Sequence, residues 1–283
     1  MTAISLETTA TPPLDMLWLE ITTKCQLNCV HCYNNSGPEG THGTLSLNDW
    51  AQILDDAARA GISSIQFIGG EVTLHPDLEQ LVYHAVAVGI AHIEVYSNLV
   101  RVTERHWAAF SRPGVRLATS WYSDDPEEHR RITARPTYTR TLSNIAEARR
   151  RGIPVRAAIP RVYDAQRVRA ARDVLVNLGV PRIGDDDVRG LGRGATGCGG
   201  RDMGQLCGGC GNGGMAVLST GTVTPCTLAR WLEVAHVGDA PLPDIYYGPA
   251  MRKAAGEIET AAGASTGFCQ PRRCEPSECA PDQ

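Results

Sequence analysis

Nowhere in this 283-residue chain do eighteen apolar residues run together, so no segment reads as a membrane-crossing helix. Residues 1–14 lack a basic region followed by an apolar stretch, and they lack a cleavage site, so no secretory address is legible there. Neither sign of charge is in excess. With 31 acidic against 27 basic residues, the chain has neither a polyanion-binding surface nor an acidic tail, and nucleic acid is not an expected partner. The expected location is the cytoplasm, with no membrane partner. Cysteine breaks this plainness, with ten in the chain. In a reducing compartment ten thiols point to metal or redox chemistry rather than to disulfides, and secreted disulfide scaffolds are usually much shorter.

Three of the ten stand at Cys25, Cys29 and Cys32, directly behind the apolar run of residues 16–21. Thiolates are soft ligands that suit iron-sulfur clusters, and three of them leave one iron of a four-iron cluster open to chemistry. A structural zinc site or a set of buried free thiols would use the same residues. A second motif follows. Residues 62–68 read as a buried strand, and Gly69, Gly70 and Glu71 come immediately after it. Glycines permit close backbone approach, and a carboxylate can accept from an ammonium group.

From residue 16 to about residue 189, short apolar runs alternate with amphipathic helical stretches, the pattern of βα units around a parallel sheet. Six strands are expected, at residues 17–22, 64–68, 92–97, 116–121, 155–160 and 182–188. Helices are expected at 47–60, 77–88, 138–151 and 165–178, stopped by Gly61, Gly89, Gly152 and Gly179. Six units fall short of a closed eight-stranded barrel. The expected fold class is therefore α/β, a partial (β/α)6 TIM-like barrel with a small C-terminal cysteine-rich extension of β-hairpin and helix. The expected division is a tail at 1–15, the barrel at 16–189 and the extension at 190–283. Ligands of parallel α/β folds gather at the C-terminal strand ends, where the cysteine triplet, Gly69 to Glu71, Ser97, Asn98 and Ser120 all fall.

The Cys-x3-Cys-x2-Cys spacing, with Gly-Gly-Glu at the next strand end, resembles the signature of the radical S-adenosylmethionine enzymes. The resemblance implies a 4Fe-4S cluster on Cys25, Cys29 and Cys32, whose fourth iron holds the amino and carboxylate groups of S-adenosylmethionine. It implies reductive cleavage to a 5'-deoxyadenosyl radical, and the same partial barrel. By that resemblance Gly69, Gly70 and Glu71 bind the methionine amino group, Ser97 and Asn98 lie near the ribose, and Ser120 lies near the methionine carboxylate. His31 stands where many relatives carry an aromatic residue beside the adenine, and Tyr33 follows the triplet. The plainer readings are a turn for Asn98, strand filler for Ser120 and packing for His31. Where many relatives continue the strand-four serine with Leu-Asp-Gly, this chain has Trp121, Tyr122, Ser123, Asp124 and Asp125. The Glu128-His129-Arg130 segment still resembles the family's helix start.

Beyond Val188 the composition shifts: residues 189–214 are rich in glycine and hold Cys198, Cys207 and Cys210. Ten residues then lead to Gly221 and four more to Cys226, and the alternation over 215–223 suggests a hairpin turned at Thr220 and Gly221. Cys269, Cys274 and Cys279 close the chain. Cys207 and Cys210 alone also fit half a zinc ribbon or a thiol-redox pair. The whole pattern resembles the SPASM and twitch extensions, which carry auxiliary iron-sulfur clusters. Seven cysteines lie beyond the barrel, one short of the eight that two all-cysteine clusters need. The resemblance thus implies one or two auxiliary clusters. Cys207, Cys210 and Cys226 would share one with a ligand from the tail, and Cys198 would be either a ligand or a spare thiol.

Relatives with such extensions mostly modify ribosomally made peptides, or oxidise a side chain or a sugar alcohol. The expected act is hydrogen abstraction that crosslinks or oxidises a peptide in natural-product maturation, fed by an external electron donor such as flavodoxin or ferredoxin. Leu191, Gly192, Arg193 and Gly194, and the Glu127-Glu128-His129 segment, look like peptide-maturase relatives. About fourteen residues precede the first strand, too few for a folded recognition module, so a separate leader-binding protein is expected. Two alternatives stay open: a twitch-type dehydrogenase of an aminoglycoside-like alcohol, and a non-catalytic iron-sulfur or zinc protein.

Overall fold

The computed structural model describes residues 11–195 and 201–263, so Cys198, Cys269, Cys274 and Cys279 lie outside the described residues. Strand β1 (Met16–Thr22) shows how the sequence builds the fold: Leu17, Leu19 and Ile21 join the main apolar core, while Trp18, Glu20 and Thr22 take the opposite, concave face. The same alternation runs through β2 (Ser64–Gly69), β3 (His92–Tyr96), β4 (Val115–Ser120) and β5 (Val155–Arg161), while β6 (Arg182–Asp187) is mostly exposed and packs only Ile183 against the core. All six expected strands form, each to within one residue at either end.

Helix α1 (Leu47–Arg59) buries Trp50, Ile53, Leu54 and Ala57, an i, i+3, i+4, i+7 stripe, and opens with a capping box between Ser46 and Asp49. Helices α2 (Leu78–Ala87), α5 (Tyr138–Arg150) and α6 (Val168–Asn177) fall where glycine stops mark them, while α4 (Pro126–Thr133) starts with proline behind the Asp125 cap. Helix α3 (Glu104–Phe110) was not expected from the sequence. Seven residues are too few to display a helical period, and the Thr103 cap is its main local signal.

The sheet has nine strands in the order β6-β5-β4-β3-β2-β1-β7-β8-β9. Strand β7 (Gly214–Leu218) lies parallel to β1, with Met16 opposite Gly214 and Glu20 opposite Leu218. Strands β8 (Thr222–Thr224) and β9 (Ala235–His236) then add antiparallel, completing the expected hairpin. The cysteine-rich extension therefore continues the barrel sheet across position 190. A side chain at Gly214 would stand 2.8 Å from the Trp18 ring, which is why this join is made by glycine. Helices α7 (Leu242–Tyr246) and α8 (Pro249–Gly263) close the described chain, and Ile258 of α8 enters a second small core with Leu191, Leu206, Cys210, Cys226 and Ala229. No helix among the described residues is long and apolar enough to cross a membrane.

Candidate functional site

The cysteine loop leaves β1 at Thr22 and is held from four sides, mostly by backbone. Cys25 N–H donates to Gly37 O at 2.9 Å, closing the loop on itself. Asn28 and Val30 N–H groups donate to Thr133 O and Ile132 O at 3.2 and 3.0 Å, so the loop satisfies carbonyls that the C-terminal end of α4 leaves open. Gly70 and Glu71 N–H groups donate to Thr22 O and Lys24 O, both at 2.8 Å, which zips the end of β2 onto the start of the loop. Here glycine is obligatory. A side chain at Gly69, whose φ is +149°, would stand 2.2 Å from Thr22 O, and one at Gly70 would stand 2.4 Å from Lys24 O.

The fourth hold comes from Arg193. Its N–H donates to Cys32 O at 2.9 Å, and its guanidinium donates through Nε to Cys29 O at 2.7 Å and through Nη2 to Ser36 O at 2.6 Å. Gly192, at φ +53°, passes so close that a side chain there would meet Cys32 O and Tyr33 O at 2.4 Å. The sequence marked Leu191 to Gly194 by resemblance and assigned Arg193 no role. Its signal is a cation between two glycines after a strand end.

Glu71, expected as a carboxylate that can accept from an ammonium group, is also the hub of a hydrogen-bonded knot. It is fully buried, and its Oε1 accepts from Thr73 N–H, Thr73 Oγ1 and Ser97 Oγ at 3.0, 2.7 and 2.6 Å, while Oε2 accepts from Asn98 N–H at 2.7 Å. Oε1 thus takes three donors and Oε2 one, which leaves Oε2 with acceptor capacity. Burial pushes its pKa up and these bonds oppose the rise. The side chain thus ties the end of β2 to the end of β3 and is a positioning group. Ser97 serves the same knot, donating to Glu71 and accepting from Leu99 N–H at 3.0 Å. Asn98 reaches the loop instead: its Nδ2 points at Cys25 Sγ at 3.7 Å, and its Oδ1 accepts from Gln26 Nε2 at 3.0 Å.

Ser120, at the end of β4, bonds the Tyr96 hydroxyl at 3.0 Å and the Tyr122 hydroxyl. Tyr122 in turn bonds Cys29, so the segment standing in place of the common Leu-Asp-Gly reaches one thiol of the triplet. His31 meets the Tyr122 ring edge-on at 5.2 Å, and burial, followed by the Arg193 charge, pushes its pKa down to about 4. Tyr33 faces the other way, packing against the small core that holds Cys210 and Cys226.

Burial raises the Cys25 thiol, and the Glu71 and neighbouring thiol charges raise it further; burial and Cys32 push Cys29 up to about 12. Such thiols ionise only beside a strong cation, as iron would be. The donor set fits a cluster: three soft ligands on one loop, with N–H and hydroxyl groups from Leu27, Asn98 and Tyr122 aimed at sulfur. The fit is one of donor chemistry, since no three His, Cys, Asp or Glu side chains among the described residues stand ready at metal-holding geometry. In the extension, the Cys210 and Cys226 sulfurs are 2.6 Å apart, and Cys207 bonds Cys210. Bonds from these two thiols, then burial, hold the Cys210 thiol well above its ordinary range. Arg230, four residues past Cys226, pairs with the fully buried Glu20 of β1, and Glu20 also accepts from Asn34 Nδ2 at 3.5 Å. Asn34 Oδ1 accepts from Cys32 Sγ at 3.0 Å, so a polar chain joins the extension to the cysteine loop.

A parallel half-barrel carrying three thiols behind its first strand defines a cluster-binding α/β protein with its site at the C-terminal strand ends. Residues 19–173 match the model of the Radical SAM superfamily, and the chain belongs to that superfamily. Over 88 residues, 31% of this chain, it is 40% identical to a PqqA peptide cyclase of Rhodopseudomonas palustris, and the match spans 22% of that relative's length. The fold is shared with Streptococcus suis SuiB bound to the precursor peptide SuiA, at TM-score 0.72 and 15% identity over 88% of this chain and 67% of that one. It is shared also with anSMEcpe bound to AdoMet and the Cp18Cys peptide, at TM-score 0.69 and 13% identity over 93% and 90% of the two chains.

Proposed function

We propose that this protein cleaves S-adenosylmethionine reductively and uses the resulting radical to crosslink or oxidise a ribosomally made peptide. One observation carries the reading: the cysteine loop, the Gly-Gly end of β2 and the Asn98 end of β3 are hydrogen-bonded into a single unit at one end of the sheet. The peptide as substrate class is supported by the likeness to a PqqA peptide cyclase and by the peptides bound to SuiB and anSMEcpe.

Cys25, Cys29 and Cys32 would hold the 4Fe-4S cluster, which when bound supplies the electron that splits the sulfonium. The methionine ammonium is assigned to the Gly69, Gly70 and Glu71 stretch, whose glycines stay partly exposed. Asn98 and Ser120 remain for the ribose and the carboxylate, and His31 and Tyr122 for the adenine side. Cys207, Cys210 and Cys226 are assigned to an auxiliary cluster completed from outside the described residues, with Cys198, Cys269, Cys274 and Cys279 as the remaining thiols. A flavodoxin or ferredoxin as donor, a separate leader-binding protein and a cytoplasmic location complete the proposal, since ten thiols need a reducing compartment.

The test is anaerobic turnover of reconstituted protein with the peptide encoded beside its gene, reading 5'-deoxyadenosine and peptide mass together. Both products are expected, with the peptide losing hydrogen. Deoxyadenosine without any peptide change, but with oxidation of a sugar alcohol, would replace the peptide reading by a small-molecule dehydrogenase. No deoxyadenosine at all would leave a non-catalytic cluster protein.

A further inference from the structure

One carboxylate oxygen joins the turns that follow the two cysteine regions. Glu20 Oε2, on the concave face of β1, is paired with Arg230, four residues past Cys226, and accepts from Asn34 Nδ2, two residues past Cys32, at 3.5 Å. Each partner is held by its own turn. Asn34 Oδ1 accepts from Ser36 N–H at 3.2 Å, and the stretch around Arg230 is closed by Ala229 N–H to Cys226 O at 3.1 Å and Leu232 N–H to Ala229 O at 2.9 Å. Tyr33, the residue after Cys32, crosses the same seam and packs into the small core of Cys210 and Cys226. The pair is poorly suited to be a stabiliser. Glu20 is fully buried, and its Oε1 has no hydrogen-bond partner among the described residues. Burial raises the Glu20 pKa, and the Arg230 charge opposes the rise. Desolvating two charges and leaving an acceptor unsatisfied offsets most of their attraction. What such a pair does supply is direction and charge balance: the guanidinium cannot give up its proton, so Glu20 is what neutralises it beside the Cys226 turn.

We propose that Glu20 is a positioning residue for the auxiliary cluster: by balancing Arg230 it sets that cluster's reduction potential and fixes the Cys226 turn against the turn behind Cys32. This rests on the assignment of Cys207, Cys210 and Cys226 to such a cluster. Reduction adds one electron to the cluster, so an uncompensated cation near it favours the reduced form, and in a low-dielectric interior that influence reaches beyond contact distance. Glutamine separates charge from shape at this position, because it is isosteric with glutamate and its amide oxygen still accepts from Arg230 or Asn34.

The experiment is an anaerobic redox titration of the reconstituted full chain, followed by electron paramagnetic resonance, with the signal missing from Cys226→Ala taken as the auxiliary cluster. At the potential where that cluster is half reduced in wild type, Glu20→Gln should raise its ratio of reduced to oxidised form about fivefold. The double variant Glu20→Gln/Arg230→Gln is neutral again and should return the ratio to within about twofold of wild type. Glu20→Asp keeps the charge and should stay in the same range. A prop without electrical effect gives the opposite order, since the double variant lacks both sides of the pair and is disturbed at least as much as the single one. An unmoved ratio in Glu20→Gln, a double variant no closer to wild type, or loss of the second cluster from both overturns the proposal. If no signal is missing from Cys226→Ala, the cluster assignment itself falls, and the proposal with it.

Discussion

The two cysteine regions of this molecule are built on different principles. The loop at Cys25 to Cys32 is held by polar contacts: backbone bonds to the ends of β2 and α4, the Glu71 knot, and the three bonds of Arg193. The trio Cys207, Cys210 and Cys226 sits instead in a small apolar core with Leu191, Leu206, Ala229 and Ile258. Hydrogen bonds are directional and fix where each sulfur stands, whereas apolar packing fixes only that the sulfurs are together. A site that must present one open iron to a cofactor needs the first kind of support. A site that gathers sulfurs around a closed cluster can work with the second.

The largest expected effect separates the two regions outright. Replacing Cys25, Cys29 and Cys32 by alanine should abolish 5'-deoxyadenosine formation and remove about four irons per chain; retained cleavage would break the assignment. Cys226→Ala should also lower iron by about four per chain, yet leave cleavage running. Loss of cleavage in that variant would mean that the two regions act as one.

Glu71→Ala tests whether the loop depends on its polar knot. It strands buried donors on Thr73, Ser97 and Asn98, and should cost about 4 kcal/mol by chemical denaturation with weakened cofactor binding. A neutral result would overturn the positioning role.

Acid should strain the same region. His129 of α4 packs among Trp121, Tyr122 and Tyr138, and burial pushes its pKa down to about 4 from an ordinary 6.5. Its neutral ring therefore contributes stability that is complete above pH 6.5 and is lost as pH falls to about 4. The loss is about 3 kcal/mol, and His129→Gln should flatten that part of the pH profile.

Arg193→Met is the smallest of the set, at about 2 kcal/mol, and should appear as faster hydrogen exchange of loop amides with little change around Cys226. Equal loosening of both regions would erase the contrast between them.

Much of this architecture could be read before any coordinates. The first five strands were legible because each is a short apolar run of five to seven residues, and the helices because glycine stops them. Helix α3 was not, being too short to show a period. The cysteine triplet was legible because its spacing is local. The partners of the Glu71 carboxylate were not legible, since Ser97 and Asn98 lie 26 and 27 positions away. Tyr122 stood out only as part of a departure from the common Leu-Asp-Gly, and its contact with Cys29, on another loop, had no local signal.

By itself, then, the sequence determined the six parallel strands, the cysteine triplet with its glycine partner, and the cysteine-rich extension, because each is written in spacings of a few residues. Tertiary structure alone decided that β7 joins β1 across nearly two hundred residues and that Arg193 reaches back to the cysteine loop. Register and close approach arise from packing between distant segments, and no local pattern encodes them.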